Sequence, residues 1–187
     1  MSLKSIFKHK PNKSEQKFPV FWLIGPTGCG KSTLAEMLAN CSKFHLINAQ
    51  LLMKDDLLKW NKTAKIIRTS QSAIGYIIDG YPTKLNEAKL FEERICSVSV
   101  VICLTLVLDG LLARKVTQIG AYDVNEARIQ YVNETSNMTK ISKRYNHKII
   151  KLHANYPPES TCTKLIEILE DFWGYKFLRL YNKHLNE

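Results

Sequence analysis

The sequence predicts an α/β fold in which about five parallel strands form a central sheet and helices cover both of its faces, a three-layer αβα sandwich. Short apolar segments rich in β-branched residues alternate with amphipathic helical segments, and a glycine-rich loop separates the first such pair. Near-continuous apolar strands are typical of sheets that are covered on both faces. Strands that alternate with helices are joined by right-handed crossovers, so the strands are expected to run parallel.

The elements are predicted in the following order. Five strands are expected, at 18–24, 44–48, 75–79, 98–107 and 148–154. Helices are expected at 31–41, 49–60, 84–95, 109–118, 125–147 and 160–172. Residues 1–17, with five lysines and one acidic residue, predict a disordered basic leader. One folded domain is expected over 18–172, followed by an aromatic tail over 173–187 that packs on it or docks a partner protein.

Composition and charge exclude several classes of protein. The 187 residues are 45% hydrophobic and 24% charged, as in ordinary globular domains, and no apolar run is long enough to cross a membrane. The five cysteines form no C-x-x-C pair, which predicts reduced thiols and no metal centre of the zinc type. The net charge of +10 suits phosphate-rich ligands, but no nucleic-acid-binding motif accompanies it. We expect a cytoplasmic monomer without specific nucleic-acid or membrane contacts.

Residues 25–32 read GPTGCGKS and match G-x-x-x-x-G-K-[ST] completely. A predicted strand precedes this loop and a predicted helix follows it, so its backbone N–H groups converge on one anion at a helix N-terminus. Lys31 is expected to reach the β- and γ-phosphates, and the Ser32 hydroxyl to ligate Mg²⁺. The sequence therefore predicts a P-loop NTPase fold that binds a nucleoside triphosphate. The expected nucleotide-binding residues are Gly25, Pro26, Thr27, Gly28, Cys29, Gly30, Lys31, Ser32 and Thr33.

Two residues, Cys29 of the glycine loop and Asp79 of a second motif, each allow two interpretations. Cys29 lies beside Lys31 and the helix N-terminus, which favours a lowered pKa, or it is simply a small side chain that the loop tolerates. Asp79 ends the apolar strand of the second motif, GYIIDGYP at 75–82. Its carboxylate is expected to hold Mg²⁺ together with Ser32, or alternatively to cap the turn that follows.

The two motifs together resemble the adenylate kinase family of nucleoside monophosphate kinases, and coarse similarity extends over about 18–172. The resemblance implies a kinase-like domain with a short lid, ATP and Mg²⁺ as cofactors, and transfer of the γ-phosphoryl group to a nucleoside monophosphate, with AMP as first candidate. It implies Lys31, Arg114 and Arg128 as catalytic cations, with Arg114 also placed against the ATP base. The implied acceptor-binding residues are Asn48, Gly80, Tyr81, Thr83 and Glu87.

The chain departs from the family pattern at several arginine and acceptor positions. Residues of other types stand at these positions: Asn48, Ala49, Met53, Thr83, Glu87, Gln118, Ala121 and Val132. Because an arginine near a transferring phosphoryl group contributes about 10³–10⁵ in rate, a second interpretation stays open. In it, the chain binds nucleotide with impaired catalysis and acts as an interaction module. A signalling GTPase is disfavoured because Asn-Lys-x-Asp is missing from the sequence.

Overall fold

The computed structural model describes residues 18–48, 63, 65–67, 73–119, 122–175 and 177. The described strands are β1 (Val20–Ile24), β2 (Phe44–Asn48), β3 (Gly75–Asp79), β4 (Val100–Thr105) and β5 (Ile149–His153). The described helices are α1 (Lys31–Asn40), α2 (Leu85–Arg94), α3 (Leu108–Ile119), α4 (Val124–Arg144) and α5 (Pro158–Trp173).

All five strands are parallel and form one sheet in the order β2-β3-β1-β4-β5. The strand that leads into the glycine loop, β1, therefore lies at the centre of the sheet. Asp79 is in register with Leu23 of β1 on one side and with Asn48 of β2 on the other. Because the strands are parallel, the glycine loop and the end of β3 meet at the same edge of the sheet.

Each face of the sheet is covered by helices, which confirms the predicted three-layer sandwich. On one face, Trp22 of β1 packs edge-on against Phe91 of α2 and Tyr145 at the end of α4, with ring centroids 5.3 Å apart in both pairs. On the other face, α1 and α5 pack on Phe21 and its neighbours. Helices on both faces explain why the three inner strands, β1, β3 and β4, are buried along almost their whole length, whereas the edge strands β2 and β5 also carry exposed residues.

The boundaries of some elements differ from those predicted. The apolar segment 98–107 forms a strand only over Val100–Thr105, because Val98 and Leu106 are buried without continuing the parallel ladder. The predicted helix 125–147 ends at Arg144, where Tyr145 becomes its C-cap. The predicted leader 1–17 and the predicted helix 49–60 lie outside the described residues.

The described part of the aromatic tail contacts β2. The ring of Phe177 stacks on that of Phe44 at 5.8 Å, and Phe177 is 7% exposed. Tyr175 meets Phe21 edge-on at 4.9 Å. None of the helices in the described ranges combines the length and apolar character that a membrane crossing requires.

Candidate functional site

The glycine loop turns sharply between β1 and α1, and glycine is required at its first and sixth positions. A Cβ atom on Gly25 would come within 2.8 Å of both the Leu104 carbonyl oxygen and the Cys29 sulfur. Gly30 has φ of 98°, a left-handed conformation that side chains other than glycine rarely adopt, and it forms the N-cap of α1. No side chain among the described residues caps this helix, so its N-terminal dipole faces the loop.

Lys31 folds back along the loop. Its ammonium group donates a hydrogen bond of 2.9 Å to the carbonyl oxygen of Pro26. Ser32 and Thr33 follow on the first turn of α1, and both are exposed. The loop therefore places one cation and two hydroxyl-bearing residues together at the N-terminus of α1.

The carboxylate of Glu134, on α4, lies against the loop. One oxygen accepts a hydrogen bond of 2.7 Å from the Thr27 backbone N–H, and the other accepts one of 2.6 Å from the Thr27 hydroxyl. Gln130, one turn earlier on α4, donates a third hydrogen bond to this carboxylate, at 2.9 Å. Glu134 is not among the site residues that the sequence motifs predict. A signal was present, because Glu134 interrupts the buried stripe of α4 between Ala127 and Met138 at helical spacing.

Asp79 ends β3 at the same edge of the sheet. Its Oδ1 atom is buried and has no hydrogen-bond partner within the described residues. A buried carboxylate oxygen without a partner is unfavourable unless a water or a cation occupies its lone pairs. Carboxylate and hydroxyl oxygens are the ligands that Mg²⁺ takes, so Asp79 and Ser32 fit this ion chemically.

Arg114, on α3, joins the loop to the segment after β5. Its guanidinium donates to the Cys29 carbonyl oxygen at 3.1 Å and to the carbonyl oxygen of Ala154. Beside it lies a cavity of about 460 Å³ between the loop and residues 154–158. Gly28, Gly30 and Tyr156 also line this cavity. Its size and its place at the loop suit the base of a nucleotide whose phosphates lie on the loop.

The residues predicted to bind the acceptor differ in their exposure and in their hydrogen bonds. Asn48 ends β2 beside Asp79 and is exposed, and the N–H of Gly80 donates to the Leu23 carbonyl oxygen at 2.9 Å. The Tyr81 ring is fully buried, and its hydroxyl donates to the Glu87 carbonyl oxygen at 3.0 Å. The Tyr81 side chain therefore belongs to the core rather than to an open surface.

Thr83 and Glu87 form a cap at the start of α2. The Glu87 carboxylate accepts from the backbone N–H of Thr83 at 2.7 Å, from its hydroxyl at 2.8 Å and from the Lys84 N–H at 3.1 Å. This arrangement satisfies orphan donors at the helix N-terminus. One carboxylate oxygen of Glu87 is therefore engaged in holding α2.

Arg128 and Cys29 differ in their surroundings. Arg128 is exposed on α4, six positions before Glu134 and hence about 120° around the helix from the side chain that reaches the loop. Cys29 is 1% exposed, and burial raises the pKa of its thiol above the ordinary value, although Lys31 and Arg114 oppose this shift. The structure thus favours the interpretation of Cys29 as an inert small side chain.

The chain is similar to several curated adenylate kinases. It is 23% identical over 184 residues to adenylate kinase 1 of Drosophila melanogaster, with 81% of this chain and 80% of that protein covered. It is 26% identical over 159 residues to adenylate kinase isoenzyme 5 of Bos taurus, covering 69% of this chain and 28% of that protein. Over 124 residues it is 30% identical to adenylate kinase of Rickettsia typhi, covering 53% of this chain and 56% of that protein.

A solved structure shares the fold. An unliganded sugar kinase from Janibacter sp. HTCC2649 superimposes with a TM-score of 0.57 and 14% identity, covering 82% of this chain and 95% of that one. No protein-family model matches the chain. The curated relatives, which are 23% to 30% identical, together with the glycine loop and the strand that ends at Asp79, support a divergent relationship of the chain to the adenylate kinases.

Proposed function

We propose that this protein is a phosphotransferase that takes the γ-phosphoryl group of MgATP and transfers it to a nucleoside monophosphate, with AMP as the first candidate. The observation that carries the proposal is the glycine loop at the carboxyl end of the central strand β1, beside Asp79 at the end of β3. Parallel α/β sheets bind ligands at this edge. The adenylate kinases among its relatives add the reaction class.

On the donor side, the loop backbone and the N-terminus of α1 bind the phosphates, and Lys31 exchanges its Pro26 partner for phosphate oxygens. Ser32 and Asp79 hold Mg²⁺, which neutralises the charge that develops on the phosphate oxygens. Arg114 borders the 460 Å³ cavity and orients the base there. These roles need no side chain outside the described residues.

On the acceptor side, several observations support a second candidate function. Thr83 stands where the family pattern has an arginine, and Glu87 is tied to the cap of α2. Arg128 has no hydrogen bond to the loop, and Glu134 adds a negative charge there. These observations support the second candidate, a nucleotide-binding protein with impaired catalysis that acts as an interaction module.

The deciding experiment measures ADP formation from ATP and Mg²⁺ across a panel of nucleoside monophosphates at high protein concentration. We expect turnover with AMP that falls at least a hundredfold in Lys31→Ala, while Lys43→Ala, an exposed lysine at the end of the α1–β2 connection, leaves it unchanged. Absence of turnover with every monophosphate, combined with Lys31-dependent ATP binding, would reject the kinase and support the second candidate. Absence of ATP binding would reject both.

A further inference from the structure

A second cavity of about 460 Å³ lies between α4 and the β4–β5 side of the sheet. Its floor includes Cys103 and Thr105 of β4 and Lys151 of β5, and its wall is formed by one side of α4. It shares no lining residue with the cavity beside Arg114, but it reaches Pro26 at the start of the glycine loop. We call it the α4 cavity.

The α4 cavity is lined by basic side chains, and the acid Glu134 of α4 is engaged with Thr27, next to the lining residue Pro26. Lys143 and Lys151 line it, and none of its lining residues is acidic. Within the described residues, neither lysine takes part in an ion pair. Two ammonium groups beside one concave surface favour an anion, and a phosphate dianion matches their combined charge.

The hydroxyl groups of the α4 cavity present acceptor lone pairs. The hydroxyl of Thr105 donates its proton to the Leu152 carbonyl oxygen at 3.1 Å. The hydroxyl of Thr135 donates to the Tyr131 carbonyl oxygen at 2.7 Å, and the hydroxyl of Thr139 donates to the Thr135 carbonyl oxygen at 2.9 Å. Because each proton is already used, these oxygens are left to accept hydrogen bonds, and the oxygen of Thr105 already contacts Nδ1 of His153 at 3.0 Å. A ligand that fits them carries hydroxyl or N–H groups of its own.

The remaining lining is apolar. Leu106 is 5% exposed and Met138 is 9% exposed. The half-buried side chain of Tyr131 also lines the cavity, and its hydroxyl donates to the Leu106 carbonyl oxygen at 2.9 Å. An apolar surface of this kind with a few convergent polar groups is the usual composition of a small-molecule site. It accommodates the flat face of a ring.

We propose that the α4 cavity is a second ligand site, which binds a small phosphorylated ring compound. The phosphate group lies between Lys143 and Lys151, the ring packs on Tyr131 and Met138, and polar substituents of the ring donate to the threonine oxygens. This site is independent of the glycine loop for its binding energy, so it stands whether or not the proposed kinase activity does.

Pyridoxal 5′-phosphate is a suitable probe, because it joins a ring, a phosphate group and an aldehyde. The aldehyde condenses with a lysine amine with loss of water, and borohydride then reduces the imine to a secondary amine that peptide mapping locates. Labelling is carried out with saturating MgATP, which protects Lys31. We expect Lys143 or Lys151 to be labelled at concentrations of pyridoxal 5′-phosphate at least tenfold lower than those that label Lys140, an exposed lysine of α4.

Pyridoxal without the phosphate group is the first control, and we expect it to label the three lysines alike. Equal labelling of Lys140, Lys143 and Lys151 by pyridoxal 5′-phosphate itself would overturn the proposal. The proposal would also be overturned if pyridoxal, which lacks the phosphate group, kept the same preference for Lys143 or Lys151 over Lys140.

A blocking variant gives a second, independent readout. Thr139→Trp places an indole at the exposed rim of the α4 cavity, and we expect it to abolish the preference. Asn133→Trp, at an exposed position of α4 outside the cavity lining, is the matched control and is expected to keep it. Preference retained in both variants would contradict the assignment, and the wild-type comparison of the two probes decides even if Thr139→Trp does not fold.

Discussion

Glu134 and Thr27 lie 107 positions apart in the chain, and the carboxylate of the first accepts both the backbone N–H and the hydroxyl proton of the second. The contact fastens α4 to the glycine loop and brings a full negative charge to the place where we propose that a triphosphate binds. Gln130 donates to the same carboxylate oxygen that accepts the Thr27 hydroxyl proton. The proposed donor site thus carries an anion of the protein's own.

We expect Glu134→Gln to bind ATP about fivefold more tightly than the wild type. The amide retains an acceptor for Thr27 but removes the charge, and like charges about 4 Å apart repel by about 1 kcal/mol even in water. Isothermal titration with MgATP measures the change. Glu126→Gln, an exposed position on the same helix, is expected to have no effect, and weaker ATP binding in Glu134→Gln would show that the carboxylate instead supports the binding conformation of the loop.

Asp79→Asn separates a metal role from a structural one. The buried Oδ1 of Asp79 has no protein partner within the described residues, so we expect the free energy of unfolding to stay within about 1 kcal/mol of the wild type. The Mg²⁺ dependence of ATP binding and of turnover is expected to weaken at least tenfold. Asp171→Asn on α5 is the control. A large loss of stability with unchanged Mg²⁺ dependence would assign Asp79 to the cap of the following turn.

Arg114→Ala is expected to lower the free energy of unfolding by about 2 kcal/mol, because hydrogen bonds from a charged group to two carbonyl oxygens are lost. ATP affinity should fall as well, since the loop and the segment after β5 lose their shared partner. Urea denaturation and nucleotide titration measure the two effects. Arg128→Ala, which removes an exposed arginine, should change stability little, and equal losses in both variants would contradict the bridging role.

Gly25→Ala and Gly28→Ala distinguish two reasons for glycine in the loop. The new methyl group at position 25 meets a backbone carbonyl oxygen at 2.8 Å and is expected to cost about 1–3 kcal/mol. At position 28 nothing lies within 4 Å, and only the φ of 88° opposes the substitution, at about 1–2 kcal/mol. Thermal and urea denaturation compare the two. A Gly25→Ala protein as stable as the wild type would mean that Leu104 yields easily.

The Cys103 thiol should react with iodoacetamide far more slowly than an ordinary thiol. Burial raises its pKa to about 11, with Ser142 and Lys151 opposing the shift. The reactive thiolate is therefore a minor species at pH 8, and its fraction rises about tenfold per pH unit until pH 11. Peptide-level mass spectrometry follows the alkylation, with the protein in urea as reference. A rate at pH 8 equal to that in urea would refute the pKa direction.

Local patterns were sufficient to predict most of the fold. The segments 44–48 and 75–79 coincide with β2 and β3, because polar or glycine residues flank short apolar runs there. The strand predicted over 98–107 was too long, because Val98 and Leu106 are apolar and buried but lie outside the strand. An apolar run marks the residues that are buried. The strand, which is defined by parallel pairing, is shorter than this buried segment.

The candidate site was predictable where its residues are neighbours in sequence. The glycine loop is local, and its conformation follows from its own glycines. Glu134 reaches it only because α4 packs on the same face of the sheet as Trp22 of β1, which a single sequence does not reveal. Tyr81 was assigned to the acceptor by its motif, but its ring is enclosed by the core. Side-chain direction at a strand end depends on packing that the motif does not encode.

The aromatic contacts of Phe21 and Phe44 with Tyr175 and Phe177 have a consequence for biosynthesis. Phe21 and Phe44 are synthesised well before Tyr175 and Phe177, the rings that pack on them. During most of elongation, Phe21 and Phe44 are therefore open to water and to chaperones. Contacts of such long sequence separation also slow folding. The amino ends of β1 and β2 therefore gain these aromatic contacts only after residue 177 has been synthesised.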